Sequence, residues 1–180
     1  METVQKERGL NWRLIAWSMA GLLLLLPLVA MQFSNQVAWS LGDFLIFGAM
    51  LGGAGLALEL AYRKAGSSSY KVGVGLAVLA AFLLIWINGA VGIIGNEGNA
   101  ANQIFTGVLG VALLGAIIAR FEAKGMAVAM ASAAGAQVLA FVIALALGWG
   151  FTGPITLVFT ALWLGSAQMF RRAAQEASAE

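Results

Sequence analysis

Six long apolar runs divide the chain, at about 14–33, 44–62, 72–95, 104–119, 126–147 and 154–170, with short polar breaks between them. Each holds roughly twenty residues, which as a helix rising ~1.5 Å per residue spans a hydrocarbon core of ~30 Å. The runs are continuous rather than alternating. In lipid every backbone group needs a partner within the segment or in a closed barrel, and a barrel strand would alternate. The pattern therefore predicts an all-α fold: a polytopic bundle of six transmembrane helices forming a single domain, 1–180, whose connections are too short to host a second one. Local signals agree with the breaks. Ser40-Leu-Gly-Asp43 has the form of a capping box opening the second helix, and Pro154 suits the first turn of the sixth, where its missing donor costs nothing. Pro27 interrupts the first run and predicts a kink. The charged amino terminus resembles a signal peptide, but the run after it is long and no Ala-x-Ala site closes it, so an uncleaved first helix is expected.

One stretch breaks the apolar pattern. Between Trp86 and Asn102 the chain gathers Asn88, Asn96, Glu97, Asn99 and Asn102, with Gln103 just beyond. Its place in the middle of the chain makes it the expected outward tip of a central hairpin.

Composition supports the membrane assignment. Hydrophobic residues make up 61% of the chain and charged residues 10%, against about 25% charged in a soluble domain. The mean hydropathy is +0.90. Charge placement then orients the bundle. With six crossings, all ten basic residues (Lys6, Arg8, Arg13, Arg63, Lys64, Lys71, Arg120, Lys124, Arg171 and Arg172) fall on one side. The opposite connections carry only Asp43 and Glu97. The positive-inside rule predicts both termini in the cytoplasm, as in a bacterial inner-membrane protein. Tyr62 and Tyr70 then flank the inner face, and Trp39 and Trp149 the outer one, as an aromatic belt requires. The pI of about 9.3 thus has a membrane origin: basic residues near anionic lipid gain on the order of 1 kcal/mol each. The connections are too short for a nucleic-acid surface, so the expected partners are the lipid bilayer and other membrane subunits or further copies of the chain.

The chain has no Cys and no His. That removes disulfides, thiolate nucleophiles, Cys/His metal sites and serine catalysis through a His base. No glycine-rich loop carries the Lys-Ser/Thr of a phosphate-binding loop, and the methionines are scattered as packing residues. Neither an enzyme nor a cofactor is expected.

The remaining candidates are polar or small. Asn88 and Gln137 lie within apolar runs and should face the bundle. They either form interhelical hydrogen bonds, worth roughly 0.6 kcal/mol on average, or line a polar site with Thr106, Thr156 or Thr160 nearby. Asp43, Asn96, Glu97, Asn99 and Asn102 form an oxygen-rich outer-face cluster. A hard cation suits oxygen ligands, but capping explains Asp43 and part of the asparagine set, and no EF-hand spacing is present, so no metal is expected. Glu59 and Arg63, at i and i+4, predict a boundary ion pair that ends the second helix. Gly48-x-x-x-Gly52, Ala49-x-x-x-Gly53 and the run 127–136, with Ala131 and Gly135, are small-residue faces that allow close helix packing.

The segments Gly42-Asp43-Phe44, Leu58-Glu59-Leu60-Ala61-Tyr62-Arg63, Ala90-Val-Gly-Ile-Ile-Gly95 with Glu97 and Asn99, Ala119-Arg120-Phe121 and Gly125-Met126-Ala127 resemble uncharacterised small bacterial inner-membrane proteins. The resemblance covers most of the chain from Trp39 to Gln137 and implies a multi-helix membrane protein without naming an activity. The leading expectation is a non-catalytic accessory or oligomer-forming component acting through helix packing. The alternative is a transporter or channel for a small solute, with Asn88 and Gln137 on its path.

Overall fold

The computed structural model describes residues 12–33, 38–64 and 66–179. Lys6, Arg8 and the start of the first connection at Ser34 lie outside the described residues. The described chain is helical: α1 (Trp12–Phe33), α2 (Leu41–Lys64), α3 (Ser68–Ala90), a 3-10 turn (Ala100–Asn102), α4 (Gln103–Ile118), α5 (Ala123–Ala146) and α6 (Gly153–Ala179), with no strand among the described residues. Six helical spans are long and apolar enough to cross a membrane, which points to an integral membrane protein. Pro27 lies inside a continuous α1.

Two helix ends depart from the sequence pattern for physical reasons. Helix α3 stops at Ala90 rather than near 95, because Gly92 and Gly95 turn into the left-handed region at φ +73° and +70°. Helix α6 continues past the apolar run to Ala179. The added residues, Arg-Arg-Ala-Ala-Gln-Glu-Ala-Ser-Ala, are mostly strong helix formers.

By packing, the chain divides into two units, Met1–Leu56 and Ala57–Glu180. In the first, α1 meets α2 where glycine gives room. A Cβ at Gly55 would stand 2.9 Å from the Trp17 ring, so the indole lies on bare backbone. Trp39 closes the start of α2, edge-on to Phe44 and Phe47 with ring centroids at 5.2 and 5.4 Å.

The second unit contains the main core. Helix α5 packs between α4 and α6, and α3 packs on α6. Buried positions of α5 are mostly alanine, while α6 contributes Phe159, Trp163 and Phe170. Large aromatics on one helix thus fill the space left by small residues on the next, which replaces the hydrophobic drive that lipid does not provide. Contacts of Gly115 with Ala129, and of Gly73 and Leu76 with Phe170, Ser166 and Gly165, make α4–α5 and α3–α6 antiparallel. A Cβ at Gly115 would lie 2.8 Å from that of Ala129.

These closest approaches are not the ones the small-residue pattern points to. A Cβ at Gly52, Gly53 or Gly135 would meet nothing within 4 Å, and one at Gly48 would reach only the Leu24 side chain at 3.9 Å. Ala131 is half-buried. Small-xxx-small spacing marks a face that can accept a neighbour but does not say where the neighbour lies.

At the α4–α5 turn, Arg120 and Phe121 both take left-handed backbone, φ 51° and 61°. The Phe121 N–H donates back to Ala116 O at 3.1 Å, and its carbonyl accepts from the Tyr70 hydroxyl at 2.6 Å. The same end of the unit is tied again at Glu176, whose carboxylate accepts from the hydroxyls of Ser67 and, at 2.6 Å, Ser69. An acid of α6 thereby sits at the amino end of α3, where a negative charge is favourable.

Candidate functional site

The polar stretch that ends the α3 run is organised by Asn102, which is 3% exposed. Its Oδ1 accepts from the backbone N–H groups of Ile93 at 3.0 Å and Ile94 at 2.8 Å. Its Nδ2 donates to Ile94 O at 3.2 Å and Asn96 O at 2.7 Å. One carboxamide thus uses two donors and two acceptors, its full capacity, on the loop that left the helix. Only glycine fits at 92: a Cβ there would overlap the carbonyl of Asn96 and approach Glu97 N to 2.7 Å.

The other asparagines are also committed locally. Asn96 Oδ1 accepts from Gly98 N at 3.0 Å, and Asn99 Oδ1 caps the 3-10 turn by accepting from Ala101 N at 3.0 Å. Glu97 is exposed. Asp43 belongs to the first packing unit, where it forms the expected capping box: Ser40 N and Ser40 Oγ donate to its carboxylate at 2.7 and 2.8 Å, and Asp43 N donates to Ser40 Oγ at 3.3 Å. The oxygen-rich cluster is therefore a set of caps and turns. Arg63 donates to Glu59 at 2.6 Å across one helical turn.

Asn88 and Gln137 differ from these. Asn88 Nδ2 donates to Asn102 O at 3.2 Å, leaving its buried Oδ1 without a partner. Gln137 is completely buried, and neither end of its carboxamide has a hydrogen-bond partner. The same holds for Thr152, Thr156 and Thr160 Oγ1 and for Trp163 Nε1. Thr106 is elsewhere: it is exposed and donates to Gln103 Oε1 at 3.3 Å.

Helical geometry relates these groups. Gln137 precedes the end of α5 by nine residues, and Trp163 follows the start of α6 by ten. At ~1.5 Å per residue both lie ~14–15 Å from the shared turn, hence at one depth. Thr160 and Thr156 lie nearer that turn on α6, and Asn88 is two residues from the end of α3. Around α5, at ~100° per residue, Gln137 stands ~80° from Ala129, which faces α4, and so near the middle of the buried arc. Trp163 stands ~60° around α6 from Ser166, which faces α3. Both point to the interior of the four-helix unit.

The polar groups stop at this depth. Beyond it the Ser166 hydroxyl is spent on Gly73 O at 2.7 Å. The Phe170 ring lies 3.2 Å from where a Gly73 Cβ would be, with Tyr70 edge-on to it at 5.0 Å. The half of the unit near the 91–102 loop thus holds unpaired polar atoms, and the other half is sealed. All buried polar residues of the described chain are uncharged.

Trp163 and Thr152 were not evident as site residues. The one available signal was the spacing Thr152, Thr156, Thr160, each four apart, with Thr152 just ahead of α6. The chain matches no family model, no curated protein and no solved structure, so the functional conclusion rests on the chemistry of these residues.

Proposed function

We propose that this is a non-catalytic integral protein of a bacterial inner membrane, with both termini cytoplasmic, that admits a small uncharged solute into its α3–α6 unit. One observation carries this reading: among the described residues, seven buried polar atoms on six residues, from Asn88 to Gln137 and Trp163, have no hydrogen-bond partner. Each unsatisfied group costs about 1–3 kcal/mol, against a total stability of only about 5–15 kcal/mol. An apolar residue of similar shape would avoid the cost, so polar groups kept here call for a partner from outside the chain. A solute that pairs with them supplies it, and its passage requires the Phe170–Gly73 seal to open. Arg120, Lys124, Arg171 and Arg172 all lie at the sealed end and Glu97 at the other, so the positive-inside rule turns the polar half outward.

The test is solute flux into vesicles carrying the purified chain, with Asn88→Leu and Gln137→Leu compared. Flux above protein-free vesicles that both variants abolish supports the reading. Unchanged flux in both removes these residues from the path. Orientation is checked with a cysteine at Asn99 in a chain that has none of its own; labelling only from the cytoplasm refutes it. A second reading, an accessory component acting through helix packing, is favoured by the open faces at Gly52, Gly53 and Gly135. Native purification with mass measurement tests it: a lone monomer counts against it.

A further inference from the structure

Resting on the reading of the α3–α6 unit as a solute path, we infer that the solute is a small neutral molecule bearing a primary amide or urea group, bound at the depth of Gln137 and Trp163. Charge sets the first limit. The buried polar groups are all uncharged, and an ion among them loses its hydration with no opposite charge to replace it.

The donor and acceptor inventory sets the second limit. At one depth the unit offers the Gln137 carboxamide, with Nε2 and Oε1 both unpaired, and the donor-only Trp163 Nε1. Thr160 Oγ1, unpaired one turn away on α6, both donates and accepts. A primary amide matches this set. Its N–H and C=O pair with the Oε1 and Nε2 of Gln137 at two points, its second carbonyl lone pair accepts from the indole, and its second N–H is left for the threonine. Urea does the same with one NH2 group to spare. A hydroxyl carries donor and acceptor on one atom, so glycerol must spend two adjacent hydroxyls, held in one rotamer, on the two-point pair that an amide closes with one planar group.

Size sets the third limit. Positions one turn from Gln137 on the buried arc of α5 are Ala133, Ala134 and Ala140, all nearly inaccessible. They add no polar contact for a larger solute to use. Asn88, Thr152 and Thr156 then serve as steps between the loop end and this position.

The experiment follows shrinkage and re-swelling of vesicles carrying the full chain by stopped-flow light scattering, with acetamide, urea, glycerol and sodium chloride as solutes. Acetamide and urea should enter about tenfold faster than glycerol, the scale of one or two hydrogen bonds, and sodium chloride should match protein-free vesicles. Gln137→Leu should return the amides to the protein-free rate. Trp163→Phe, which keeps an aromatic ring and removes only the donor, should slow them about tenfold. If Gln137→Leu does not reconstitute, the wild-type ratio of acetamide to glycerol and the Trp163→Phe variant decide. Glycerol entering as fast as acetamide, or amide entry that survives Gln137→Leu, overturns the amide assignment and leaves the solute path standing. No solute entering faster than in protein-free vesicles overturns both, and the polar groups then hold structural water only.

Discussion

Replacing Asn102 with alanine should unfasten the 91–102 loop from the helices it joins. The side chain makes four hydrogen bonds, all to backbone. Two of them, to the N–H and C=O of Ile94, are buried, and the pairs with Ile93 N and Asn96 O are part-buried. A net hydrogen bond is worth about 1 kcal/mol, and a buried group left unpaired costs about 1–3 kcal/mol. Water at the part-buried pair recovers some of this, so the expected loss is about 3–4 kcal/mol, large beside the stability of a typical domain. Asn102→Asp is the sharper variant. It keeps the acceptor for Ile93 and Ile94 but sets a carboxylate oxygen against the carbonyls of Ile94 and Asn96, so it should not restore stability at neutral pH. The assay is reversible unfolding in mixed micelles, with hydrogen exchange at the Ile93 and Ile94 amides as the local readout. An alanine variant within about 0.5 kcal/mol of the parent, the range of an ordinary surface substitution, with exchange unchanged at both amides, would refute the reasoning. So would an aspartate variant as stable as the parent.

Three further outcomes follow from the same geometry. Gly92→Ala should cost more than about 1–2 kcal/mol, because a left-handed residue gains a Cβ that also overlaps the Asn96 carbonyl; a thermal midpoint equal to the parent's would contradict it. Arg120→Gly should stabilise the α4–α5 turn by about 1 kcal/mol, since Arg120 holds φ 51° where glycine carries no steric penalty; unfolding in micelles measures it, and a destabilised variant counts against the explanation. Glu176→Ala removes the acceptor for Ser67 and Ser69. Limited proteolysis should then cut the end of α6 faster, while Glu176→Gln, which keeps an acceptor oxygen, should fall between that variant and the parent.

The six helical spans were legible because lipid reduces the choice of backbone structure to one that length and apolarity reveal. The end of α3 was not, because Ile93, Ile94 and Gly95 continue the apolar pattern. What stops the helix is the left-handed turn at Gly92 and Gly95, held by Asn102, eight residues beyond Ile94, through bonds that no local periodicity encodes. The asparagine cluster showed where polar atoms gather and, for Asn99, a cap. It did not distinguish the buried Asn102 from the exposed Asn96. Gln137 stood out because a carboxamide amid alanines has few neighbours to satisfy it. Trp163 did not, because an indole in an apolar run looks like core until its N–H is found unpaired. The glycines of close approach depended on partners distant in sequence, as with Gly73 beneath Phe170.

The bond from Glu176 to Ser67 joins residues 109 apart, which bears on how the chain is made. Translation at about 5–20 residues per second leaves roughly 5–20 seconds between the appearance of Ser67 and that of Glu176. Through that interval the amino end of α3 lacks its acidic partner, and the aromatic seal of Phe170 on Gly73 does not yet exist. The polar interior therefore cannot close during insertion of α3, α4 and α5. It closes only when α6 emerges, so the sealed unit assembles after α3, α4 and α5 are already in place.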